Sequence, residues 1–374
     1  MPQEPYDLSD PELPFWLALN RVHGIGPARF QTLLQSFGTA ENVWRADLET
    51  LLAAGVDART VASLTEQRRR IVPEAEVDRL LQLGVGVLRL IDSTYPPLLA
   101  EINLPPPVLY VRGRLLPDDA VAIAIVGTRK ATSYGRQVTQ QLAAGLAERR
   151  VTVVSGLARG VDACAHAAAL AAGGRTVAVL GCGPDLIYPP EHARLSERLI
   201  ENGAIITSFP PGTPPEAGNF PARNRLISGL SLGVVVTEAP RQSGALITAG
   251  FAGEQGRDVF AVPGSIFSKT SVGAHQLIQD GAKLVMSVED ILSELNLTNI
   301  SMLSPAGPNP EPESGTEARL LELLGGVGEA LHVDELSYRL GLPVATISAT
   351  LAILELRGMV IVSGPMTYAL AREP

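Results

Sequence analysis

Seven short apolar runs, each followed by a helical pattern, constrain the fold of this chain more than any other feature. The run Gly233–Thr237 lacks polar/apolar alternation, which is typical of a strand buried on both faces. Strands are predicted at 121–126, 151–154, 176–180, 204–207, 233–237, 258–262 and 283–286, and helices at about 134–149, 160–172, 191–202, 222–230, 244–255, 273–280 and 288–296. This alternation predicts an α/β fold, an extended Rossmann-like doubly wound parallel sheet with a binding crevice at the carboxyl ends of its strands.

Two further patterns precede the first of these strands. Helical periodicity on both sides of the turn His23–Gly26 predicts a helix-hairpin-helix unit, with a weaker second hairpin at Ala54–Asp57. Such hairpins hold a DNA phosphate in many proteins and only pack as small helical domains in others. Both alternatives stay open, and the negative local charge favours packing. Residues 85–113 alternate strand-like runs with proline pairs, which predicts an irregular β extension of the sheet.

The C-terminal part is predicted to be a separate domain that follows a linker. The segment Thr298–Thr316 has four prolines and no periodicity, so we expect it to be flexible. Helical patterns and a hairpin then predict a winged helix-turn-helix. Its recognition helix carries a single cation, Arg357, so duplex reading and a protein-contact or regulatory role are both open. The predicted domains are 10–84, 85–297 and 317–374, with the linker at 298–316.

Charge and composition limit the functional classes. The net charge is −9, but residues 120–297 carry 15 Lys+Arg against 14 Asp+Glu, so a local basic groove is possible and a broad cationic face is not. The chain has no apolar run of about 18 residues and no signal-peptide pattern. Two cysteines, Cys164 and Cys182, cannot build a disulfide framework or a metal cage. We therefore expect a cytoplasmic protein with no membrane contact and no metal.

Turns that carry glycine or serine follow four of the seven strands, and a parallel sheet brings them to one rim. Free backbone N–H groups at such turns bind anions. Arg129 and the cluster Arg223-Asn224-Arg225 are placed to meet the same anions. Neither G-x-G-x-x-G after the first strand nor G-x-x-x-x-G-K-[ST] occurs, so we expect no cofactor. The rim is instead predicted to bind a row of phosphates.

Support for acid–base catalysis is weak. Cys164 and His166 lie two residues apart on one helix and point in different directions, so packing roles are expected, with rim-loop hydrogen bonds as an alternative for His166. Asp162 is expected to act at the start of its helix. Glu238 follows its strand into the crevice, but the sequence places no second carboxylate beside it. No catalytic residue is assigned.

Six motifs occur in a fixed order: GTR (127–129), SGLARGVD…AH (155–166), GCG…YP (181–189), FPARNRLISGLS (220–231), SGALITA (243–249) and VPG…G…LI..GA (262–282). Together they resemble the DNA processing protein A family (DprA, also called Smf) over about 85–294, and the terminal domains are similar to that family in layout. The resemblance implies a non-enzymatic homodimer that binds single-stranded DNA. It also implies protection of incoming DNA in natural transformation, and loading of the RecA recombinase onto strands covered by single-strand-binding protein.

The resemblance also assigns residues. The family's phosphate-gripping arginine falls on Arg129, its basic helix on Arg223-Asn224-Arg225, and its phosphate turn on Ser243-Gly244, while Leu277 and Ile278 fall where family members pair into dimers. Contacts to the DNA backbone predict sequence-tolerant binding. The full set of predicted single-stranded-DNA-binding residues is Gly127, Thr128, Arg129, Lys130, Ser155, Gly156, Arg159, Phe220, Arg223, Asn224, Arg225, Ser243, Gly244 and Thr248.

Two other functions remain as alternatives. Lysine-decarboxylase-like phosphoribohydrolases share this Rossmann layout and cleave nucleotides with a P-G-G-x-G-T-x-x-E signature. Here Gln242–Thr248 stands at the corresponding place and lacks both the double glycine and the glutamate. A structural adaptor that binds only proteins would show no affinity for single strands at any salt concentration.

Overall fold

The protein folds into two compact units, Met1–Leu303 and Ser304–Pro374, in a computed structural model. The structure describes residues 6–297, 315–327, 331–356, 360–364 and 366–370. Among these residues, no helix combines the length and the apolar character needed to cross a bilayer.

The N-terminal residues form the two predicted hairpins. Pro27 lies in the first turn of its helix, and the side chain of Asp57 caps the second hairpin by accepting the Thr60 N–H. The core of this helical region continues into the sheet through Val87, Val108 and Tyr110. Its helices are α1 (Leu13–Arg21), α2 (Pro27–Phe37), α3 (Ala40–Arg45), α4 (Leu48–Ala53), α5 (Ala58–Gln67) and α6 (Pro73–Leu83).

A nine-stranded sheet forms the centre of the first unit, in the order β1-β2-β6-β5-β4-β3-β7-β8-β9. The strands are β1 (Gly86–Arg89), β2 (Val108–Gly113), β3 (Ala122–Val126), β4 (Thr152–Ser155), β5 (Thr176–Val179), β6 (Gly203–Thr207), β7 (Gly233–Val236), β8 (Asp258–Ala261) and β9 (Lys283–Leu284). Strands β3 to β9 are parallel, which confirms the doubly wound prediction, and the β extension contributes the antiparallel strands β1 and β2.

Helices cover both faces of this sheet. They are α7 (Pro97–Ala100), α8 (Ser133–Glu148), α9 (Val161–Ala171), α10 (Ala193–Asn202), α11 (Asn219–Gly229), α12 (Gly244–Glu254), α13 (Val272–Gln279) and α14 (Val288–Glu294). One face packs against α11 and α12 through Leu226, Ile227 and Ala249, and the other against α8, α9 and α14 through Leu142, Ala165 and Ile291. The predicted helix starts at about 191 and 222 shift to 193 and 219, because apolar periodicity does not fix the ends of a helix as well as its middle.

The second unit is the predicted winged helix. Its elements are α15 (Gly315–Val327), β10 (Leu331–His332), α16 (Val333–Leu340), α17 (Val344–Leu356), β11 (Val360–Gly364) and β12 (Thr367–Leu370). The strands form an antiparallel sheet in the order β10-β12-β11. Strand β10 was not predicted, because two residues carry no periodicity. Residues 298–314 of the predicted linker lie outside the described residues, and α15 begins at Gly315 rather than 317. The proposed domain boundaries stay predictions.

Candidate nucleic-acid interface

A crevice lies where neighbouring strands lead to opposite faces of the sheet. Strand β3 leads into α8 on one face, and the adjacent β7 leads into α12 on the other. Such a switch point opens a gap between the two loops at the carboxyl ends of the strands. The crevice encloses about 800 Å³, including its open mouth, and is lined by the turn after β3, the turn before α12 and one side of α11.

Two glycines let the backbone segments around the crevice approach closely. A Cβ at Gly127 would lie 2.6 Å from Val161 Cγ2 and 2.9 Å from the Glu238 carbonyl oxygen. A Cβ at Gly156 would lie 2.3 Å from a guanidinium nitrogen of Arg223. The turn after β3 is tied to β7 because the Thr128 N–H donates to the Glu238 carbonyl at 2.7 Å. Thr128 Oγ1 in turn accepts the Lys130 N–H at 3.2 Å.

Free positive charge lies at the mouth of the crevice. Arg129 and Lys130 are exposed, and neither forms an ion pair with any residue that the structure describes. The Arg129 guanidinium lies 5.3 Å from the centroid of the Phe220 ring. Tyr188, which is 41% exposed, has its ring centroid 6.2 Å from that of Phe220. A cation and two aromatic rings are therefore presented together at the rim.

Arg223, by contrast, is part of the crevice wall. It is only 5% exposed, and its Nη1 donates to the carbonyls of Gly156 and Val179. Its Nε donates to Asn224 Oδ1, whose amide nitrogen donates to the Gly244 carbonyl. Burial lowers the pKa of Arg223, while Asp162 acts in the opposite direction. The guanidinium therefore joins the ends of β4 and β5 to the start of α12.

Asp162 organises the turn that follows β4. One carboxylate oxygen accepts the N–H groups of Gly156 and Ala158 at 3.2 and 3.3 Å. Burial raises the pKa of this carboxyl, and Arg223 and the two N–H donors lower it. Asp162 thus reaches back from α9 to fix the rim turn.

His166 fixes the same turn from one helical turn further along α9. Its Nε2 accepts the Leu157 N–H at 3.3 Å, so Nδ1 carries the proton and donates to Thr176 Oγ1 at 2.6 Å. Thr176 Oγ1 donates in turn to the Val153 carbonyl. Burial, followed by His192 and Arg223, lowers the pKa of His166 to about 3, so the imidazole is neutral. Cys164 Sγ lies beside the Arg136 carbonyl at 3.5 Å. For His166, the structure shows the alternative role, a hydrogen bond to a rim loop.

The turn before α12 combines a capping serine with an open glycine. Ser243 Oγ accepts the Ala245 N–H at 3.3 Å, and buried Thr248 donates to the Gly244 carbonyl. A Cβ at Gly244 would meet no protein atom within 4 Å. The helix start therefore leaves room beside Gly244 for an anion near its N–H groups. Ser155, which ends β4, is buried and donates to the Ile125 carbonyl.

Two of the cations predicted to bind DNA form hydrogen bonds or an ion pair within the protein instead. Arg225 points away from the crevice and donates to the carbonyls of Asn103 and Leu104. Arg159 lies on the rim but pairs with Glu191. Sequence reasoning grouped Arg225 with Arg223 because they are two residues apart, and on a helix this spacing places side chains on different sides.

Glu238 holds the rim together instead of facing a substrate. Its carboxylate accepts hydrogen bonds from the Thr132 N–H at 2.9 Å, Thr132 Oγ1 at 2.7 Å and Thr270 Oγ1 at 3.0 Å. These bonds connect β7 to the start of α8 and to the loop after β8. The one carboxylate that sequence reasoning singled out for the crevice is therefore occupied by structural donors.

The residues predicted to pair in a dimer lie on α13. Leu277 and Ile278 are half-buried on α13, and they do not line the crevice. The described recognition helix α17 contains no lysine or arginine, and Arg357 lies outside the described residues.

Three family models match the chain in succession. The model described as DNA recombination-mediator protein A matches residues 86–296, the DprA-like N-terminal HHH domain matches 11–77, and the DprA winged helix domain matches 304–362. Protein Smf from Synechocystis is 36% identical, over 96% of this chain and 99% of that protein.

Two solved structures are similar to the chain. The X-ray structure of DNA processing protein A from Streptococcus pneumoniae is 36% identical with a TM-score of 0.66, covering 75% of this chain and 97% of that one. DNA processing protein A from Helicobacter pylori, whose structure was described for its single-stranded DNA binding mode, is 29% identical with a TM-score of 0.51. That match covers 57% of this chain and 95% of that one.

Proposed function

The chain belongs to the DNA recombination-mediator protein A family, and on this basis we propose that it binds single-stranded DNA through the rim of its parallel sheet. The observation that carries the proposal is the free Arg129 guanidinium beside Phe220 at the mouth of the crevice. Backbone N–H groups near Gly127 and Gly244 add donors for phosphate oxygens. A ring beside a cation suits an unstacked base next to its phosphate, which a duplex does not offer.

The proposed binding does not depend on base identity. Backbone N–H groups and guanidinium groups at the crevice donate to phosphate oxygens, and such contacts carry no sequence information. Aromatic stacking accepts any base. We therefore expect affinity to fall with salt at a log–log slope of about −0.7 for each phosphate held.

The protein is proposed to act without catalysing a reaction. Asp162, His166 and Glu238 each have structural hydrogen-bond partners, so none of them is poised as an acid or base. This arrangement disfavours the alternative of a nucleotide-cleaving phosphoribohydrolase. Incubation with nucleoside monophosphates tests that alternative directly, since released base would establish it.

The wider role rests on the family resemblance alone. We propose that the protein protects single strands, loads RecA recombinase onto strands covered by single-strand-binding protein, and works in the cytoplasm as a homodimer paired near Leu277 and Ile278. A strand-exchange assay with RecA and single-strand-binding protein tests the loading step. Stimulation by this protein is expected, and no stimulation would remove that part of the proposal.

The binding proposal is tested by fluorescence anisotropy with an oligothymidine and a matched duplex across a salt series. Arg129→Ala is expected to weaken single-strand binding roughly fivefold at about 0.1 M salt and to flatten the log–log slope by about 0.7. Arg149→Ala is the control, because Arg149 pairs with Glu289 beyond the far end of α8 and away from the rim. If the duplex bound as tightly as the single strand, the DNA site would have to be sought in the hairpin or the winged helix. If Arg129→Ala bound single strands with wild-type affinity and slope, the proposal that the crevice binds DNA would be refuted.

A further inference from the structure

A second, wider groove lies beside the crevice on the α8, α9 and α10 side of the rim. It encloses about 1080 Å³ of open space. Five cationic side chains and no carboxylate line it: Arg129, Lys130, Arg136, Arg194 and Arg198. Arg136, Arg194 and Arg198 belong to neither the predicted site nor the crevice lining.

None of these five cations forms an ion pair with any residue in the described part of the chain. Arg136 is held in place because its Nη1 donates to the Ala131 carbonyl at 2.6 Å. Arg194 and Arg198 are four residues apart on α10, so both project on one side of that helix. Elsewhere on the rim the positive charge is neutralised, as in the Arg159–Glu191 pair. A row of like charges costs free energy that a bound polyanion would recover.

The floor of the groove is smooth and neutral. It is formed by Gly160, Ala163, Cys164 and Ala167, which share one side of α9. Helices α8 and α10 both pack against α9 and form the walls. Because these floor residues are small, the groove is deep enough for an extended DNA backbone, and the cations lie on either side of the floor.

The groove and the crevice meet at Arg129, which lines both. We propose that a bound single strand leaves the crevice beside Arg129 and continues along α9, with its phosphates held by Arg136 on one wall and by Arg194 and Arg198 on the other. This inference rests on the proposed function, because it extends the same strand. The two sites then differ in kind: the crevice offers rings and backbone donors, whereas the groove offers only charge.

A length series separates the two sites. An oligothymidine of about six nucleotides is expected to fill the crevice only, whereas one of about twenty also covers the groove. In the full chain, the double variant Arg194→Ala/Arg198→Ala should bind the short strand as the wild type does. It should bind the long strand roughly tenfold more weakly at about 0.15 M salt, with a log–log slope flatter by about 1.4. The control Arg149→Ala/Lys283→Ala removes two charges that pair with Glu289 and Glu294 instead.

The outcomes distinguish the two proposals. If the wild type fails to bind the short strand, the crevice proposal fails. If the short strand binds but the double variant keeps wild-type affinity and slope for the long strand, the groove proposal fails alone. If the double variant loses binding of a polyglutamate peptide while the long strand binds normally, the groove docks an acidic protein and the proposal is overturned.

Cys164 provides a second readout without any substitution. It lies on the groove floor and is partly exposed, while Cys182 is buried. Alkylation of Cys164 by a maleimide, followed by peptide mapping, should be slowed several-fold by the long strand and left unchanged by the short one. Equal alkylation rates with and without the long strand would contradict the proposal that this strand covers the groove.

Discussion

Two arginines near one aromatic ring show how differently the mouth and the interior of the crevice are built. Arg129 lies 5.3 Å and Arg223 5.7 Å from the centroid of Phe220. Arg129 is exposed and forms no ion pair with the described residues, whereas Arg223 is buried and donates to two strand-end carbonyls. Residues of the same charge, in motifs that occur together, therefore have different tasks.

The difference follows from what burial requires. A guanidinium that is removed from water needs protein acceptors for its N–H donors. Its hydrogen bonds therefore hold the surrounding segments together. An exposed guanidinium keeps its water shell and can exchange it for a phosphate. Asp162 and His166 belong with Arg223 on the interior side, and Lys130 and Gly244 belong with Arg129 at the mouth. Substitutions at the two arginines, at His166 and at Glu191 test this division.

The largest effect is expected from removing the interior arginine. Arg223→Met leaves the carbonyls of Gly156 and Val179 without these donors, so the free energy of unfolding should fall by about 3 kcal/mol. Arg129→Met, as the matched substitution at the mouth, should change it by less than about 0.5 kcal/mol. Urea denaturation of both variants measures this. Equal losses would mean that the division between mouth and interior is wrong.

The next effect depends on pH and comes from His166. The imidazole has a pKa of about 3 in the folded protein and 6.5 in the unfolded chain, so between these values only the unfolded chain binds the proton. Stability is therefore lost as the pH falls from 6.5 towards 3, by up to about 1.4 kcal/mol per pH unit. His166→Gln removes this titration, so its unfolding free energy should fall less steeply between pH 7 and 5.5. An unchanged slope would show that His166 is not buried in its neutral form.

The smallest effect concerns the ion pair at the rim. Glu191→Ala frees Arg159 from its only described carboxylate partner and should tighten single-strand binding roughly two- to fourfold at about 0.1 M salt. Arg159→Ala should weaken binding less than Arg129→Ala does, because Arg159 must first leave Glu191. Anisotropy titrations with one oligothymidine compare the three variants. A larger loss for Arg159→Ala than for Arg129→Ala would move the centre of the site along the rim.

Much of the architecture was predictable because it depends on local periodicity. The seven parallel strands, the two helical hairpins and the winged helix all follow from apolar spacing and turn residues, and all three are confirmed. Strand β10 was missed because its two residues pair with β12 without any pattern of their own. The family was also recognisable, since six ordered motifs are specific as a set.

The roles of individual rim residues were less predictable. Sequence reasoning placed Arg223 and Arg225 together on the anion, but the helix turns them apart, one into the wall and one towards the Asn103 and Leu104 carbonyls. It assigned Asp162 to its own helix start, whereas the carboxylate reaches back to the turn after β4. It did not connect Arg136 with Arg194 and Arg198, because they are separated by more than fifty residues and meet only across α9.

The order of elements, the parallel sheet and the rim where the turns collect follow from the amino-acid sequence alone, because periodicity and turn chemistry act over a few residues. Which rim cations have no carboxylate partner among the described residues is visible only once the chain is folded. That outcome depends on burial and on carbonyls and carboxylates from distant segments, and a linear pattern does not contain these distances. In the sequence, Arg129 and Arg223 are both motif arginines. The structure distinguishes them, because Arg223 donates to the Gly156 and Val179 carbonyls whereas Arg129 lies beside the Phe220 ring.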